Sequence, residues 1–186
     1  METRTSGANF VTRAEDGAKR IEGYFAVFGS NYEMWPGYTE SVDPHAFDGA
    51  IEGEDIRCLI DHETRLVLGR TVAGTLTLRA DDKGLWGSCL INEDDQDAMN
   101  LYARVERGDV SQCSFGFDIL GEENDVDEKS GSVHTTITKV KLYEVSCVTF
   151  PAYTDTGIEA RKARVGELKR EQLKTWKAAL LARLRK

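Results

Sequence analysis

At 186 residues and 40% hydrophobic content, the chain is long enough to bury a sizeable core as one globular domain without a disulfide framework. Its polar start excludes a secretory signal, and no run approaches the roughly 18 apolar residues of a membrane span, so we expect a protein with no membrane partner. The formal net charge is −8, yet residues 159–186 carry ten Lys or Arg against three Glu, a polarity that favours defined electrostatic partners over specific nucleic-acid binding.

The first fifty-one residues predict one strand and one short helix, joined by irregular segments. Residues 1–20 lack periodicity and predict a flexible lead-in, and residues 21–28 predict the first strand. Residues 32–41 predict a loop around a Pro-Gly turn. Asp43 followed by Pro44 then predicts a short helix over residues 45–51, with His45 on its surface.

The middle of the chain predicts an antiparallel meander followed by a helix. Residues 56–60 form a compact apolar strand that leads directly into His62, which is flanked by two carboxylates. Strands are predicted over residues 66–70, 74–80 and 85–91, and residues 94–107 change to helical periodicity. We expect one face of that helix to be buried through Ala98, Leu101, Tyr102 and Val105.

The stretch V-S-Q-C-S-F-G-F-D-I, residues 110–119, is rich in aromatic residues and predicts a central strand. Because side chains alternate along a strand, Ser114 shares a face with Gly116, while Cys113, Phe115 and Phe117 point to the other. An isolated S-x-G motif fits an ordinary strand, so a catalytic role for Ser114 needs support from other residues.

The last third of the chain predicts an acidic mobile loop, two strands and a basic helix. The loop covers residues 121–132, and the strands cover residues 133–140 and 142–150. Glu144 interrupts the second apolar strand, where a carboxylate is costly unless it is paired. The helix, residues 159–186, is either docked on its own domain or a partner-binding arm; its apolar stripe contains Leu168, Leu173, Trp176, Leu180 and Leu184.

Three polar residues stand in or at the end of apolar strands: Ser114, His62 and Glu144. Nucleophilic acyl transfer needs a hydroxyl, a base that takes its proton, and a group that orients the base. These residue types meet that requirement. Cys58, Cys89, Cys113 and Cys147 stand singly with no C-x-x-C spacing, which favours small buried thiols; we therefore expect no metal and no organic cofactor.

The chain resembles the prohead (procapsid maturation) serine proteases of tailed bacteriophages, distant relatives of the herpesvirus assemblins. The resemblance runs over residues 21–160 and is carried by five ordered segments: G-Y-F-A-V-F-G-S, D-P-H-A-F, I-D-H with a following L-G-R-T, C-S-F-G-F, and L-Y-E-V-S-C-V-T-F-P-A. It implies an α+β, β-dominated fold: an assemblin-like, mostly antiparallel β-barrel over residues 21–158, surrounded by a few helices and followed by the basic amphipathic helix.

The resemblance also implies a serine endopeptidase that acts inside the immature capsid in the host cytoplasm. Its expected partners are the major capsid protein precursor, with its scaffold segment, and further copies of itself; self-cleavage is a family expectation too. Ser114 matches the family nucleophile and His62 the base. For the third member we favour Glu144, with His134 as the alternative because assemblins use a second histidine.

Other functions are compatible with parts of the sequence. A non-catalytic capsid or tail-tube component sharing the fold is the main alternative, although it would have no reason to keep Ser114, His62 and Glu144 together. A small-ligand-binding β-barrel is a third reading. A cysteine nucleophile at Cys113 is disfavoured, since strand alternation directs it away from the face of Ser114.

Overall fold

Two β-sheets with α-helices at their margins make up the protein, as seen in a computed structural model that describes residues 1–6, 10–15, 17–150 and 155–184. In chain order the strands are β1 Glu2–Ser6, β2 Val11–Glu15, β3 Ala18–Val27, β4 Tyr32–Trp35, β5 Tyr38–Val42, β6 Arg57–Ile60, β7 Glu63–Arg70, β8 Leu76–Ala80, β9 Gly84–Leu90, β10 Gln112–Val126 and β11 Val133–Val148. The helices are α1 Gln96–Arg107 and α2 Asp155–Leu184, with a 3-10 turn at Thr71–Ala73.

Counted over the described residues, the larger sheet has seven strands and contains the long β10–β11 hairpin at its centre. β1 pairs with β10, whereas β5 and β6 both pair with β11 in the parallel direction and extend the sheet through β4 and β7. The smaller sheet has the order β2-β3-β9-β8 and is antiparallel throughout. The two sheets of the described residues do not close into a barrel, which corrects the barrel expected from the sequence; its β-dominated character and C-terminal helix are confirmed.

The hydrophobic core is built from both sheets and α1. Phe25 of β3, Leu85 of β9 and Phe115 of β10 are almost fully buried in it, and Phe115 stacks on Phe117 with ring centroids 4.7 Å apart. Helix α1 begins at an Asp95 N-cap and ends at Gly108 in the left-handed conformation. Its buried residues are the four expected from the periodicity: Ala98, Leu101, Tyr102 and Val105.

Five local expectations differ from the structure. The two strands predicted over residues 133–140 and 142–150 are one continuous strand, β11. Residues 2–6 and 11–15 are strands rather than an irregular lead-in, because they pair with β10 and β3. Residues 32–42 form a hairpin rather than a loop, and residues 44–49 form successive turns in place of the short helix. The acidic stretch belongs largely to β10, which runs to Val126 because β11 pairs with it along its whole length, leaving only residues 127–132 between the strands.

Helix α2 docks on the larger sheet mainly through its first half, and in the second half Gln172 Nε2 donates a hydrogen bond of 3.2 Å to the Val126 carbonyl at the end of β10. Arg161 and Val165 are buried, and Leu168 packs against the small core formed by Tyr38, Val133 and Val165. Leu173, Trp176 and Leu180 of the predicted stripe are exposed, so only part of that stripe is covered. Residues 151–154 and 185–186, which include the last motif's Pro151 and Ala152, lie outside the described residues, as does the side chain of Leu184.

Candidate active site

A partly buried imidazole–carboxylate pair lies on one face of the β10–β11 hairpin. His62 Nδ1 and Glu144 Oε1 are 2.7 Å apart, and the second oxygen of Glu144 accepts a hydrogen bond of 2.5 Å from the Ser146 hydroxyl. The side chain of His62 is 14% exposed and that of Glu144 is 5% exposed. The carboxylate in an apolar strand thus has the partners that its burial requires.

The turn that carries His62 is held in an unusual backbone conformation. Asp61 and His62 both have positive φ, 48° and 60°, a conformation that non-glycine residues adopt rarely and that costs about 1 kcal/mol or more each. The Asp61 carboxylate accepts hydrogen bonds from the backbone and the hydroxyl of Thr149, and the Asp61 amide donates to the Cys147 carbonyl. These three bonds tie the turn to the end of β11 and fix the position of the imidazole.

Ser114 belongs to the same face as the His62–Glu144 pair. Strand register places Ser114 opposite Ser146 and Gly116 opposite Glu144, and directly opposed residues in an antiparallel pair project to the same side. Gly116 is needed there: a Cβ atom at this position would clash with Oε1 of Glu144. The bare face expected around Ser114 therefore accommodates the Glu144 carboxylate.

The hydroxyl of Ser114 is engaged elsewhere in this structure. Ser114 is fully buried, and its Oγ donates a hydrogen bond of 2.8 Å to the backbone carbonyl of Arg4 in β1. His62 Nε2 is buried and has no hydrogen-bond partner among the described residues. The structure thus places the serine beside the imidazole–carboxylate pair but does not join Ser114 to His62 by a hydrogen bond.

The alternative third member, His134, lies in a different part of the sheet. Its two ring nitrogens contact the hydroxyls of Thr39 and Ser41 at 2.8 and 2.9 Å, so both have partners in β5. The imidazole of His134 therefore serves the β5–β11 pairing, and the structure brings Glu144, not His134, to His62. His45, expected on the surface, is exposed and contacts Asp48.

The cysteines are buried thiols, as predicted. All four are free, and the Cys113 thiol faces the backbone carbonyl of Tyr24 on the core side, away from Ser114. Contact with the Cys147 thiol and burial raise the pKa of Cys58. Within the described part of the chain, no group of three or more His, Cys, Asp or Glu side chains is arranged to hold a metal ion.

Sequence reasoning missed a second buried charge cluster, which joins both ends of the chain. Glu40 of β5 accepts hydrogen bonds from Arg4 Nε at 2.5 Å and the Tyr38 hydroxyl at 2.5 Å, and Arg161 Nε lies 2.9 Å from it. Burial raises the pKa of Glu40, but the Arg4 and Arg161 guanidinium groups outweigh burial and hold it below its usual value. Arg161 also pairs with Glu122 of β10. No local pattern marked Glu40, which lies in a segment predicted as a loop.

Ser146 was also missed, although one signal was available. It lies two residues after Glu144 on the same strand and therefore on the same face, where its hydroxyl can reach the carboxylate.

A β-dominated protein with a serine, an imidazole and a carboxylate on one sheet face has the residue set of a serine hydrolase. Comparison with protein families supports that class: the family model described as caudovirus prohead serine protease matches residues 8–171. The chain belongs to this family of phage capsid-maturation proteases, whose expected place is inside the procapsid in association with capsid proteins. No curated protein and no solved structure matches the chain. Neither described helix combines the length and apolar character needed to cross a membrane.

Proposed function

We propose that this protein is the serine endopeptidase of phage capsid maturation that cuts scaffold and coat-protein segments, and itself, inside the prohead. The observation that carries the proposal is the partly buried His62–Glu144 pair on the face of Ser114, within a chain of the prohead protease family. A paired imidazole beside a serine is costly to build and has a direct use in acyl transfer.

The proposed mechanism assigns one role to each of the three residues. Ser114 Oγ attacks the carbonyl carbon of the scissile bond while His62 Nε2 accepts its proton, forming an acyl-enzyme. His62 then gives the proton to the leaving amine and activates water for deacylation. Glu144 accepts a hydrogen bond from Nδ1–H of His62, which leaves the Nε2 lone pair for the reaction and stabilises the imidazolium that forms.

The experiment that tests this function is intact-mass analysis of the chain incubated with its coat-protein precursor. Wild type should cut the precursor, whereas Ser114→Ala should lose turnover by about 10⁶-fold because the nucleophile is absent. Cys113→Ala is the matched control, since its side chain lies on the opposite face of the same strand. This control should keep cutting.

One observation favours the competing function of a non-catalytic capsid or tail-tube component. Ser114 is covered by β1 and its hydroxyl is engaged by Arg4. If wild type and Ser114→Ala both leave the precursor and themselves whole under assembly conditions, the structural role replaces the enzymatic one.

We propose further that the distal half of α2 is a docking arm for an acidic segment of the coat-protein precursor. Its exposed side chains include Leu173, Trp176 and Leu180, among the basic residues Lys169, Lys174 and Lys177. An apolar stripe within a basic surface suits a partner helix with apolar and acidic residues. Self-association of the chain is an alternative use of the same stripe.

A further inference from the structure

The edge of the seven-stranded sheet at Ser114 is occupied by the chain's own N-terminal strand. β1 is the outermost strand on this side and pairs with β10 from Glu2, opposite Phe117, to Ser6, opposite Cys113. Thr5 lies directly opposite Ser114. Without β1, the backbone of β10 would be an open edge, which is the usual template for an added peptide strand.

β1 places one of its backbone carbonyl groups against Ser114, the proposed nucleophile. The Ser114 hydroxyl donates to the Arg4 carbonyl oxygen at 2.8 Å, while His62 Nε2 has no hydrogen-bond partner in the part of the chain that the structure describes. A serine whose proton is directed at a carbonyl oxygen, and not at its base, is not positioned to attack the carbonyl carbon. β1 therefore lies in the site without being in a reactive arrangement.

Charged side chains anchor β1 to the rest of the protein: Arg4 is the most buried of them, and Glu2 also lies 3.7 Å from Arg161 Nε of α2. The Arg4 guanidinium is buried between Glu40 and Glu2, and it also lies over the ring of Phe117. Glu40 is 1% exposed and keeps Arg161 and the Tyr38 hydroxyl as partners without Arg4. The carboxylate that receives Arg4 is thus held in place independently of β1.

We propose that residues 2–6 are an internal pseudosubstrate: they cover the β10 edge where an extended peptide substrate pairs, and Arg4 marks a subsite in which Glu40 selects a basic residue. This proposal rests on the proposed protease function and names its substrate class, an extended peptide with Arg or Lys on the amino side of the scissile bond. The family match begins at residue 8, so β1 lies outside it.

Because β1 occupies the proposed substrate site, it should weaken the apparent affinity for substrate without changing the turnover rate. A competing intramolecular strand lowers the fraction of molecules that can bind substrate, and the apparent dissociation constant rises in inverse proportion to that fraction. Removing the anchor with Arg4→Met should therefore lower KM by about tenfold or more and leave kcat unchanged. Arg4→Lys keeps the charge and should stay close to wild type.

The first test is a peptide-binding measurement that needs no catalysis. Fluorescently labelled extended peptides, identical except for Arg, Leu or Glu at the selected position, are titrated into the full chain carrying Ser114→Ala, with and without Arg4→Met. Binding should strengthen about tenfold or more when Arg4 is replaced, with the Arg peptide bound best and the Glu peptide worst. Adding Glu40→Gln should remove the preference for Arg over Leu.

Arg104→Met, a change at an exposed position of α1, is the control and should leave binding at the level of Ser114→Ala alone. Equal peptide affinity with and without Arg4→Met overturns the pseudosubstrate, and equal affinity for the three peptides overturns the basic subsite. The second measurement is cleavage of the same peptides by chains that retain Ser114. Binding that follows the prediction without any cleavage contradicts only the protease function, whereas cleavage with a KM unaffected by Arg4→Met contradicts only the pseudosubstrate.

Discussion

Gly116 illustrates how one missing side chain determines the geometry of the proposed active site. A β-carbon at this position would meet Oε1 of Glu144, the atom that contacts His62. The carboxylate is the mobile end of a long side chain, so we expect it to yield before the backbone does. Gly116 is therefore more important for the orientation of the His62 imidazole than for the formation of β10.

Gly116→Ala should therefore reduce catalysis far more than stability. Loss of the carboxylate that orients a catalytic histidine costs about 10⁴-fold in kcat in comparable triads. We expect a loss of about 10²- to 10⁴-fold in kcat/KM, measured on a peptide substrate, with a small change in Tm. Gly166→Ala in α2, where a methyl group meets nothing within 4 Å, is the control and should keep full activity. Activity of Gly116→Ala near the wild-type value would contradict the role given to Glu144.

Single substitutions also distinguish Glu144 from His134 as the proposed third member of the catalytic triad. Glu144→Gln leaves the shape but removes the charge beside His62, and it should lower kcat by about 10³- to 10⁴-fold. His134→Gln can still contact Thr39 and Ser41, so kcat should change by less than about threefold. Steady-state kinetics on both variants separates the two assignments, and the reverse order of effects would restore His134.

At the scale of elements, β1 and α2 are held to the sheet by the same buried charges. Glu40 receives Arg4 from β1 and Arg161 from α2, and Glu122 of β10 receives Arg161. Burial raises the pKa of Glu122, but Arg161 outweighs it and lowers the value overall. Both termini are therefore coupled to the ionisation of two carboxylates.

This coupling predicts acid sensitivity. Because the folded pKa values of Glu40 and Glu122 lie below the ordinary glutamate value of about 4.3, their contribution to stability is complete above that pH and is lost as pH falls through the folded values. We expect Tm to be level from neutral pH to about pH 5 and to fall below about pH 4. Thermal unfolding across this range provides the measurement.

Glu40→Gln should lower the free energy of unfolding at pH 7 by about 3 kcal/mol, since it removes one partner of a buried ion pair. The difference in Tm between Glu40→Gln and wild type should narrow as pH falls below about 4, because the Glu40 charge contributes less as the pH approaches its lowered folded pKa. Glu106→Gln, at an exposed position of α1, should follow wild type throughout. Parallel curves for Glu40→Gln and wild type would contradict the linkage.

For the whole molecule, the main unused surface is the distal half of α2. The family match ends at residue 171, just before Leu173 and Trp176, which are half exposed. Since these side chains add little to the fold, replacing Leu173, Trp176 and Leu180 together by Ser should leave Tm within about 2 °C of wild type.

The same triple variant should keep its activity on short peptides but lose incorporation into proheads, measured by the protease content of purified particles. Val165→Ser, in the buried half of the helix, is the contrast and should lower Tm instead. Normal incorporation of the triple variant would refute the docking arm.

Much of this organisation could be predicted from local sequence. Helix α1, the strands β9 and β10 and the position of His62 at the end of an apolar strand follow from local periodicity, which acts within a few neighbours. Ser114, His62 and Glu144 could be selected because each is polar within an apolar stretch, a feature that remains visible without the fold.

What only the tertiary structure decided depends on pairings between distant segments. The strand character of residues 2–6 and 38–42 comes from neighbours more than 90 residues away, and their polar sequences carry little intrinsic preference for strands. The partner of His62 and the hydrogen bond from Ser114 to Arg4 likewise depend on strand register, which fixes the side chains that share a face. Sequence alone thus identified the reactive residue types, and long-range strand pairing determined which of them meet and that the chain covers its own serine.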